Sequence, residues 1–312
     1  MSRRTMIRTG LVLAGAAVLT TTALTPPAGA GEAVAEGSTV ACTMDVGSVT
    51  AAGDHTYRRI TAGAPSTMTV VPARAGTGVY APGQVRLSTS FINTRDASGT
   101  LALGWVVLGD TLYRSDYLLE LSLGQYLQPP ELIRIGSGWT NFKLVEETEY
   151  IPVEHGQTLR TSAYGLRSDG TLFRWRLDGL VWHRTGSAGG FAAVKTMALL
   201  SKTATYDTFL VNTRGGALYT VRIPTTSPMK PIVKPVRTAT WQVFEKLMAV
   251  KCGVYGTLLL GIDKDTKSGY LYAVGHANGL STVIKGLGKV QGSFPDPVDF
   301  RWRNEFDPMN GD

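Results

Sequence analysis

The sequence predicts an all-β fold, a β-propeller assembled from short antiparallel strands, on three observations. Glycine is abundant, at 36 of 312 residues, and charged residues make up only 18% of the chain, which is typical of a β-rich protein with many turns. Apolar residues alternate in short runs that are separated by Gly or Asp-Gly turns, and helical patterns are scarce. A degenerate repeat of about 50 residues recurs along the chain, which is the size of a propeller blade.

The first element along the chain is a leader, residues 1–30. Residues 1–8 carry three arginines and no acid, and the apolar run 10–19 is too short to span a membrane, which takes roughly 20 residues. Small residues at 28–30 suit cleavage after Ala30. Residues 2–8 resemble the twin-arginine export motif of bacteria, and an ordinary Sec signal is the alternative. The leader predicts a secreted, extracellular protein whose residues 31–312 form one propeller domain.

Two cysteines, Cys42 and Cys252, lie near the two ends of the exported chain. A lone pair of cysteines usually forms a disulfide in an oxidising compartment. The bridge would close a loop of about 210 residues and would bring the first and last blades together. Two separate buried thiols are the alternative.

The repeat consists of two strands that flank a tight turn, most clearly at Asp169-Gly170, where Asp-Gly favours a hairpin. Gly215-Gly216 and Ser268-Gly269 occupy equivalent turns. An aromatic landmark accompanies each copy, at Tyr57, Tyr113, Phe173, Tyr219 and Tyr272. Five landmarks predict five blades, and the weakly patterned residues 60–100 leave a sixth blade open. A pair of β-sandwiches is the competing architecture, but it does not predict a recurring landmark.

A second repeated element precedes some of the hairpins. It places an aromatic residue three positions before another apolar one, as in the pairs Trp139 and Phe142, Trp241 and Phe244, and Phe191 and Val194. Together with Asp169-Gly170-Thr171-Leu172-Phe173-Arg174-Trp175 and Trp182-His183-Arg184, the Gly138-Trp139 copy resembles the tachylectin-2-like propellers, which are five-bladed lectins. The resemblance, clearest over residues 136–280, implies binding of N-acetylated amino sugars between adjacent blades. The acidic turn is intact only at Asp169, and the repeats are uneven in length.

Sugar binding calls for an aromatic face and fixed polar groups. The candidate platforms are Trp139, Trp175, Trp182 and Trp241, and the candidate polar partners are Asp169 and Arg174. Core packing between blades is the alternative role for each Trp, and a plain turn residue is the alternative for Asp169. The landmark aromatics recur in register with the repeat, which favours a structural role for them.

Signatures of catalysis are thin, so the sequence favours a protein that is not an enzyme and that uses no cofactor or metal. The four histidines are far apart and lack metal-ligand spacing, and the motifs of serine hydrolases and zinc proteases are missing. A propeller glycosidase would need carboxylates that point into the channel. Asp45, Asp110, Glu146, Glu147 and Asp207 are candidates, although residues 146–149 read as a solvated loop.

Three functional hypotheses follow from the sequence. The first is a secreted, non-catalytic propeller that binds carbohydrate, the second a propeller that binds extracellular protein or has a structural role, and the third a glycosidase-like hydrolase. The formal net charge of +7 includes three leader arginines, and no run of Lys or Arg follows, so nucleic acid is not an expected partner. No later segment is apolar enough to span a membrane, and a monomer is expected.

Overall fold

The computed structural model describes residues 41–95, 99–120, 125–152 and 159–309, and the predicted leader lies outside this part of the chain. The first strands are β1 (Thr43–Val49), β2 (His55–Thr61), β3 (Thr67–Val70), β4 (Val85–Ser88), β5 (Phe91–Arg95), β6 (Thr100–Leu108), β7 (Thr111–Leu119) and β8 (Tyr126–Ser137). They are followed by β9 (Phe142–Tyr150), β10 (Arg160–Arg167), β11 (Leu172–Asp178), β12 (Val181–Ala188), β13 (Val194–Lys202), β14 (Tyr206–Thr213), β15 (Leu218–Pro224) and β16 (Ile232–Arg237). The last strands are β17 (Lys246–Cys252), β18 (Gly256–Asp263), β19 (Ser268–Val274), β20 (Ile284–Lys289) and β21 (Val298–Arg303). Single 3-10 turns lie at Pro72–Arg74 and Gly279–Ser281.

The strands form four-stranded antiparallel sheets, an arrangement that is consistent with a β-propeller. Sheet 3 consists of β9 to β12, sheet 4 of β13 to β16 and sheet 5 of β17 to β20. The remaining strands form one larger sheet with two parts. We name these parts sheet 1, in the order β21-β1-β2-β3, and sheet 2, in the order β5-β6-β7-β8 with β4 also paired to β6. A short parallel pairing of β21 with β5 joins the two parts.

The first strands of the sheets contact one another in a closed circuit. Strand β13 contacts β9 on one side and β17 on the other, and β17 contacts β21. Strand β21 contacts β4 and β5, and β4 in turn contacts β9. Because β21 comes from the C-terminal end and pairs with β1, sheet 1 is completed only when both ends of the chain meet.

A backbone hydrogen bond from an aromatic residue joins each sheet to the next. We name the five donors the leading aromatics because each precedes the first strand of a sheet and donates its N–H to the hairpin turn of the sheet before. The bonds are Tyr80 to Gly53 at 3.0 Å, Trp139 to Asp110 at 3.1 Å, Phe191 to Gly170 at 3.0 Å, Trp241 to Gly216 at 3.1 Å and Phe294 to Lys267 at 2.9 Å. All five aromatic side chains are buried. The backbone contact made by the second repeated element therefore also occurs at Tyr80 and Phe294.

The aromatic landmarks of the sequence lie at matching places, each on the third strand of its sheet. Tyr57 lies on β2, Tyr113 on β7, Phe173 on β11, Tyr219 on β15 and Tyr272 on β19. Between the sheets, apolar side chains of neighbours share one core, as Leu172 of sheet 3 does with Phe209 of sheet 4 and Leu259 of sheet 5. Sheets with two apolar faces bury both of them only by stacking on neighbours, so the repeat requires a multi-sheet assembly.

The predicted disulfide is present. Cys42 and Cys252 are bonded, with their Cα atoms 5.6 Å apart. Cys42 directly precedes β1 and Cys252 ends β17, so the bridge joins sheet 1 to sheet 5. It adds a covalent link to the place where the two ends of the chain meet.

The interpretation of residues 146–149 as a solvated loop was wrong. These residues lie within β9, and Glu147 and Thr148 are buried. Arg303 of β21 donates to Glu147 and to Glu149, each at 3.2 Å. The acidic run is compatible with a buried strand because an arginine from the other end of the chain compensates its charge.

We expect Gly170→Ala to destabilise the protein more than Gly179→Ala. Both glycines have positive φ, +87° and +59°. A Cβ on Gly170 would lie 2.3 Å from the backbone nitrogen of Ala192, which follows a leading aromatic, whereas a Cβ on Gly179 meets nothing within 4 Å. Gly179→Ala should cost about 1 kcal/mol for backbone strain alone, and Gly170→Ala clearly more. Urea unfolding of both variants measures the difference, and equal losses would contradict the close contact between sheets.

We expect loss of the disulfide to lower the free energy of unfolding by up to about 5 kcal/mol, because the bridge closes a very long loop in the unfolded chain. The double variant Cys42→Ser, Cys252→Ser and the reduced wild-type protein should unfold at the same urea concentration. The double variant should also be insensitive to reductant, which is the internal control. A wild-type protein whose unfolding is unchanged by reduction would contradict this expectation.

Candidate binding site

The ends of the first strands meet around a group of three cavities. The last residues of β5, β9, β13, β17 and β21 all contribute to the walls. The C-terminal segment 304–309 leaves β21 at this point and lines all three cavities. We name this region the basin. Cavity A has a volume of about 460 Å³, cavity B about 430 Å³ and cavity C about 480 Å³.

Asp45 forms the wall that cavities A and C share, and its partners hold it firmly. Arg59 binds it with two nitrogens, each at 2.7 Å, and the hydroxyl of Tyr57 donates to it at 2.6 Å. Arg74 donates to the Tyr57 oxygen at 2.7 Å. Burial, with Asp45 adding to it, raises the pKa of Tyr57 to about 12. The phenol therefore stays protonated, and the carboxylate of Asp45 is already compensated by Arg59.

Two arginines of β21 fix the floor of cavity A. Arg301 pairs with Asp307 at 2.7 Å, and Arg303 pairs with Glu147 and Glu149. Burial raises the pKa of Glu147, and the charge of Arg303 opposes that shift. The Arg301–Asp307 pair also holds the C-terminal segment over the first strands, so the segment belongs to the wall of the site.

Cavity B is more apolar than the other two. Its apolar lining is Ile151, Pro152, Phe306 and Met309, and its charged lining is Lys202 with the acids Glu149, Glu305 and Asp307. The backbone N–H of Lys202 donates to the carbonyl of Met309 at 3.1 Å, which anchors the end of the described chain. Burial lowers the pKa of the Lys202 amine to about 8.

Cavity C is lined by several side chains that are exposed or that lack a hydrogen-bond partner among the described residues. Asn93 is 6% exposed, and its side-chain nitrogen has no hydrogen-bond partner in the described part of the chain. Arg95 and Asn304 are exposed, and the ring of Phe306 is 73% exposed. An exposed aromatic ring beside polar side chains is a common arrangement in binding sites for polar ligands.

The tryptophans proposed from the sequence lie elsewhere. Trp139, Trp175 and Trp182 pack on one another with ring centroids 5.5 to 5.9 Å apart, and Trp105 joins Trp182 at 5.1 Å. Trp241 is buried and packs on Tyr272. None of the four proposed tryptophans lines cavity A, B or C. Their contacts are those of packing between sheets, and a ligand-binding role for them stays a prediction.

The two proposed polar partners also have structural contacts. Arg174 is buried and donates to the carbonyls of Pro224 and Thr226, so it links sheet 3 to sheet 4. Asp169 accepts the N–H of Thr171 at 2.9 Å and pairs with Arg167 within its turn. The structure does not bring these two residues together with the basin, and their role in binding stays a prediction as well.

The sequence indicated Asp45, as a candidate channel carboxylate, and Tyr57, as a landmark aromatic, but it did not indicate the other polar and aromatic residues of the basin. Asn93 and Phe306 belong to no repeated motif. The one signal that could have indicated this region is residues 300–306, which contain two arginines and three aromatics. Among the described residues, no three His, Cys, Asp or Glu side chains are arranged to hold a metal ion. A helix long and apolar enough to cross a membrane is likewise missing from this part of the structure.

Comparison with known proteins assigns no family. Neither a protein-family model nor a curated protein matches the chain. Among solved structures, a triple arginine-to-alanine variant of AofleA from Arthrobotrys oligospora matches with a TM-score of 0.41 and 8% identity, covering 85% of this chain and 91% of that one. The periplasmic gluconolactonase PpgL of Pseudomonas aeruginosa matches with a TM-score of 0.36 and 10% identity, covering 82% and 98%. Similarity at this level identifies neither a family nor an activity.

We expect Lys202→Met to remove a pH dependence of stability. The unfolded chain keeps the proton up to the ordinary pKa of 10.5, whereas the folded protein releases it near 8. Wild-type stability should therefore rise between pH 8 and pH 10.5, and Lys202→Met should be the more stable protein at pH 7, by up to about 3 kcal/mol. Urea unfolding across this range measures it, with Lys230→Met at an exposed site as the control for losing a lysine. A wild-type curve parallel to that of Lys202→Met would contradict the assignment.

Proposed function

We propose that the protein is a secreted five-bladed β-propeller that binds carbohydrate in the basin, without catalysis. The observation that carries the proposal is the exposed ring of Phe306 beside polar groups whose positions are fixed by the fold. Asp45 and Arg59 are held by a two-point ion pair, and Asn304 lines the same cavities.

Five blades are supported by two independent repeats in the structure. The bond from a leading aromatic to the preceding hairpin turn occurs between successive sheets, including from sheet 5 to sheet 1 at Phe294. The landmark aromatics lie on the third strand of the same five sheets. With five blades, the described part of residues 60–100, the region that left a sixth blade open, connects blade 1 to blade 2 and supplies β3, β4 and β5.

Secretion is supported by the leader and by the disulfide. Residues 1–30 carry the basic, apolar and small-residue regions of a signal peptide. A bonded pair such as Cys42 and Cys252 is typical of proteins outside the reducing cytoplasm. Both features agree on an extracellular location, and the export motif points to a bacterial host.

Carbohydrate is the ligand class that fits the walls of the basin. A sugar ring has one apolar face, which stacks on an aromatic side chain, and hydroxyls that need fixed donors and acceptors. Phe306 supplies the aromatic side chain. The donors and acceptors come from Asn93, Asn304 and the Asp45–Arg59 pair. Cavities of 430 to 480 Å³ lie within the usual range for small-ligand sites.

A protein partner is the second candidate, and exposed apolar residues favour it. Ile232 and Val233 on the outer strand β16 are each 49% exposed. Leu280, in the 3-10 turn that contacts β16, is 63% exposed. Co-purification of one defined extracellular protein, lost on Ile232→Ser with Val233→Ser, would favour this function over carbohydrate binding.

We expect Phe306→Ala to abolish or strongly weaken glycan binding, because stacking on this ring carries the apolar part of the contact. Tyr255→Ala is the matched control, since Tyr255 is also exposed, at 63%, and does not line the basin. The measurement is a glycan array with titration calorimetry on the best ligand. Both variants should unfold like the wild type. Absence of glycan binding by the wild type, or equal weakening by both variants, would overturn the proposal.

A further inference from the structure

We propose that the saccharide bound in the basin is acidic, and that its carboxylate is held in cavity C by Asn93, Arg74 and Arg95. This inference rests on the proposed function and specifies its ligand class. Two observations carry it: arginines of cavity C that have no carboxylate partner among the described residues, and the buried side-chain nitrogen of Asn93, which has no acceptor there.

Among the described residues, the two acids that line cavity C do not fully balance its arginines. Three arginines line it, Arg59, Arg74 and Arg95. Asp45 compensates only Arg59, since Arg74 donates to the neutral hydroxyl of Tyr57. Within the described ranges, neither Arg74 nor Arg95 has a carboxylate within 4.0 Å. Glu305, the other acid of this cavity, is exposed and has no ion pair with any described residue.

Asn93 is the second, independent observation. Its side chain is more than nine-tenths buried, and it lines both cavity A and cavity C. The side-chain nitrogen has no acceptor among the described residues. A buried donor left without a partner costs about 1 to 3 kcal/mol. That nitrogen is itself buried, so a ligand oxygen in the cavity would supply the missing acceptor once the Asn93 amide turns toward it.

A carboxylate fits this set of donors better than a hydroxyl does. It accepts hydrogen bonds on two oxygens and carries the charge that Arg74 and Arg95 lack. Bonds from an arginine to a carboxylate are about twice as strong as bonds between neutral groups. The ring that bears the carboxylate would then lie toward Phe306, which lines the same cavity. Uronic acid residues of polysaccharides have this combination of a carboxylate and a sugar ring.

The test compares each acidic oligosaccharide with its neutral counterpart. Oligomers of galacturonate, glucuronate and mannuronate are titrated by calorimetry at low and moderate salt, each beside its methyl ester, with a sulfated and an uncharged oligosaccharide included. We expect at least one free acid to bind more than about tenfold tighter than its ester, with the advantage shrinking as salt rises. Tightest binding by an ester, by the sulfated oligomer or by the uncharged one would overturn the inference and leave the proposed function intact. No binding by any oligosaccharide would remove both.

Substitutions in cavity C test whether the ligand carboxylate binds there. Arg95→Ala should weaken binding of the free acid about tenfold or more and leave the weak binding of the ester unchanged. Asn93→Asp should weaken it further, because it places a negative charge at the donor position. Arg176→Ala is the control, since Arg176 is exposed on β11 and does not line the basin. Folding of each variant is checked by urea unfolding, and Arg95 is exposed enough to be replaced without disturbing the core. Equal losses for acid and ester on Arg95→Ala would contradict the assigned contact.

Discussion

The fold depends on one repeated contact, the hydrogen bond from a leading aromatic to the hairpin turn of the preceding sheet. At Gly170 and Gly216 the turn approaches the next segment so closely that a Cβ would collide with it. The aromatic side chain is buried at the same junction, so the bond is formed in an environment that excludes water. One polar contact thereby fixes how closely each sheet approaches the next. The last copy, at Phe294, leads the chain into β21 and so brings the C-terminal end back to β1.

Features that depend on local chemistry could be predicted from the sequence. The Asp169-Gly170 turn was visible because few residues tolerate positive φ. The landmark aromatics were visible because each lies at a similar distance after its turn, and the structure places all of them on third strands. The disulfide could be predicted because the exported chain has a single pair of cysteines and the leader indicates an oxidising compartment. The copies at Tyr80 and Phe294 were missed because their surroundings lack the Gly-Trp pattern, although the backbone bond they make is the same.

Features that depend on distant neighbours could not be predicted. A tryptophan has the same chemistry in a core as on a binding surface, and only its neighbours in the fold decide which of the two roles it has. Here Phe142 packs on Trp139 and Trp105 packs on Trp182, so these tryptophans have the contacts of a core. The pair Arg303 and Glu147 joins residues 156 positions apart, so the acidic run of β9 looked solvated when read alone. The basin was hidden for the same reason, since Asn93 and Phe306 meet only after the chain has closed on itself.

Two of the candidate glycosidase carboxylates, Glu147 and Asp207, are bound within the fold. A glycosidase needs one carboxyl group that donates a proton and another that attacks or activates water, and both must reach the sugar. Glu147 has a raised pKa, as a general acid would, but it is buried, bound to Arg303 and does not line the cavities. Asp207 is fully buried and bonded to Arg160, Tyr164 and Thr148. These acids are already used to hold the sheets together. Within the described part of the basin, the amide nitrogen of Asn93 has no acceptor and Arg95 has no carboxylate partner, and such donors select for a ligand that brings acceptors and negative charge.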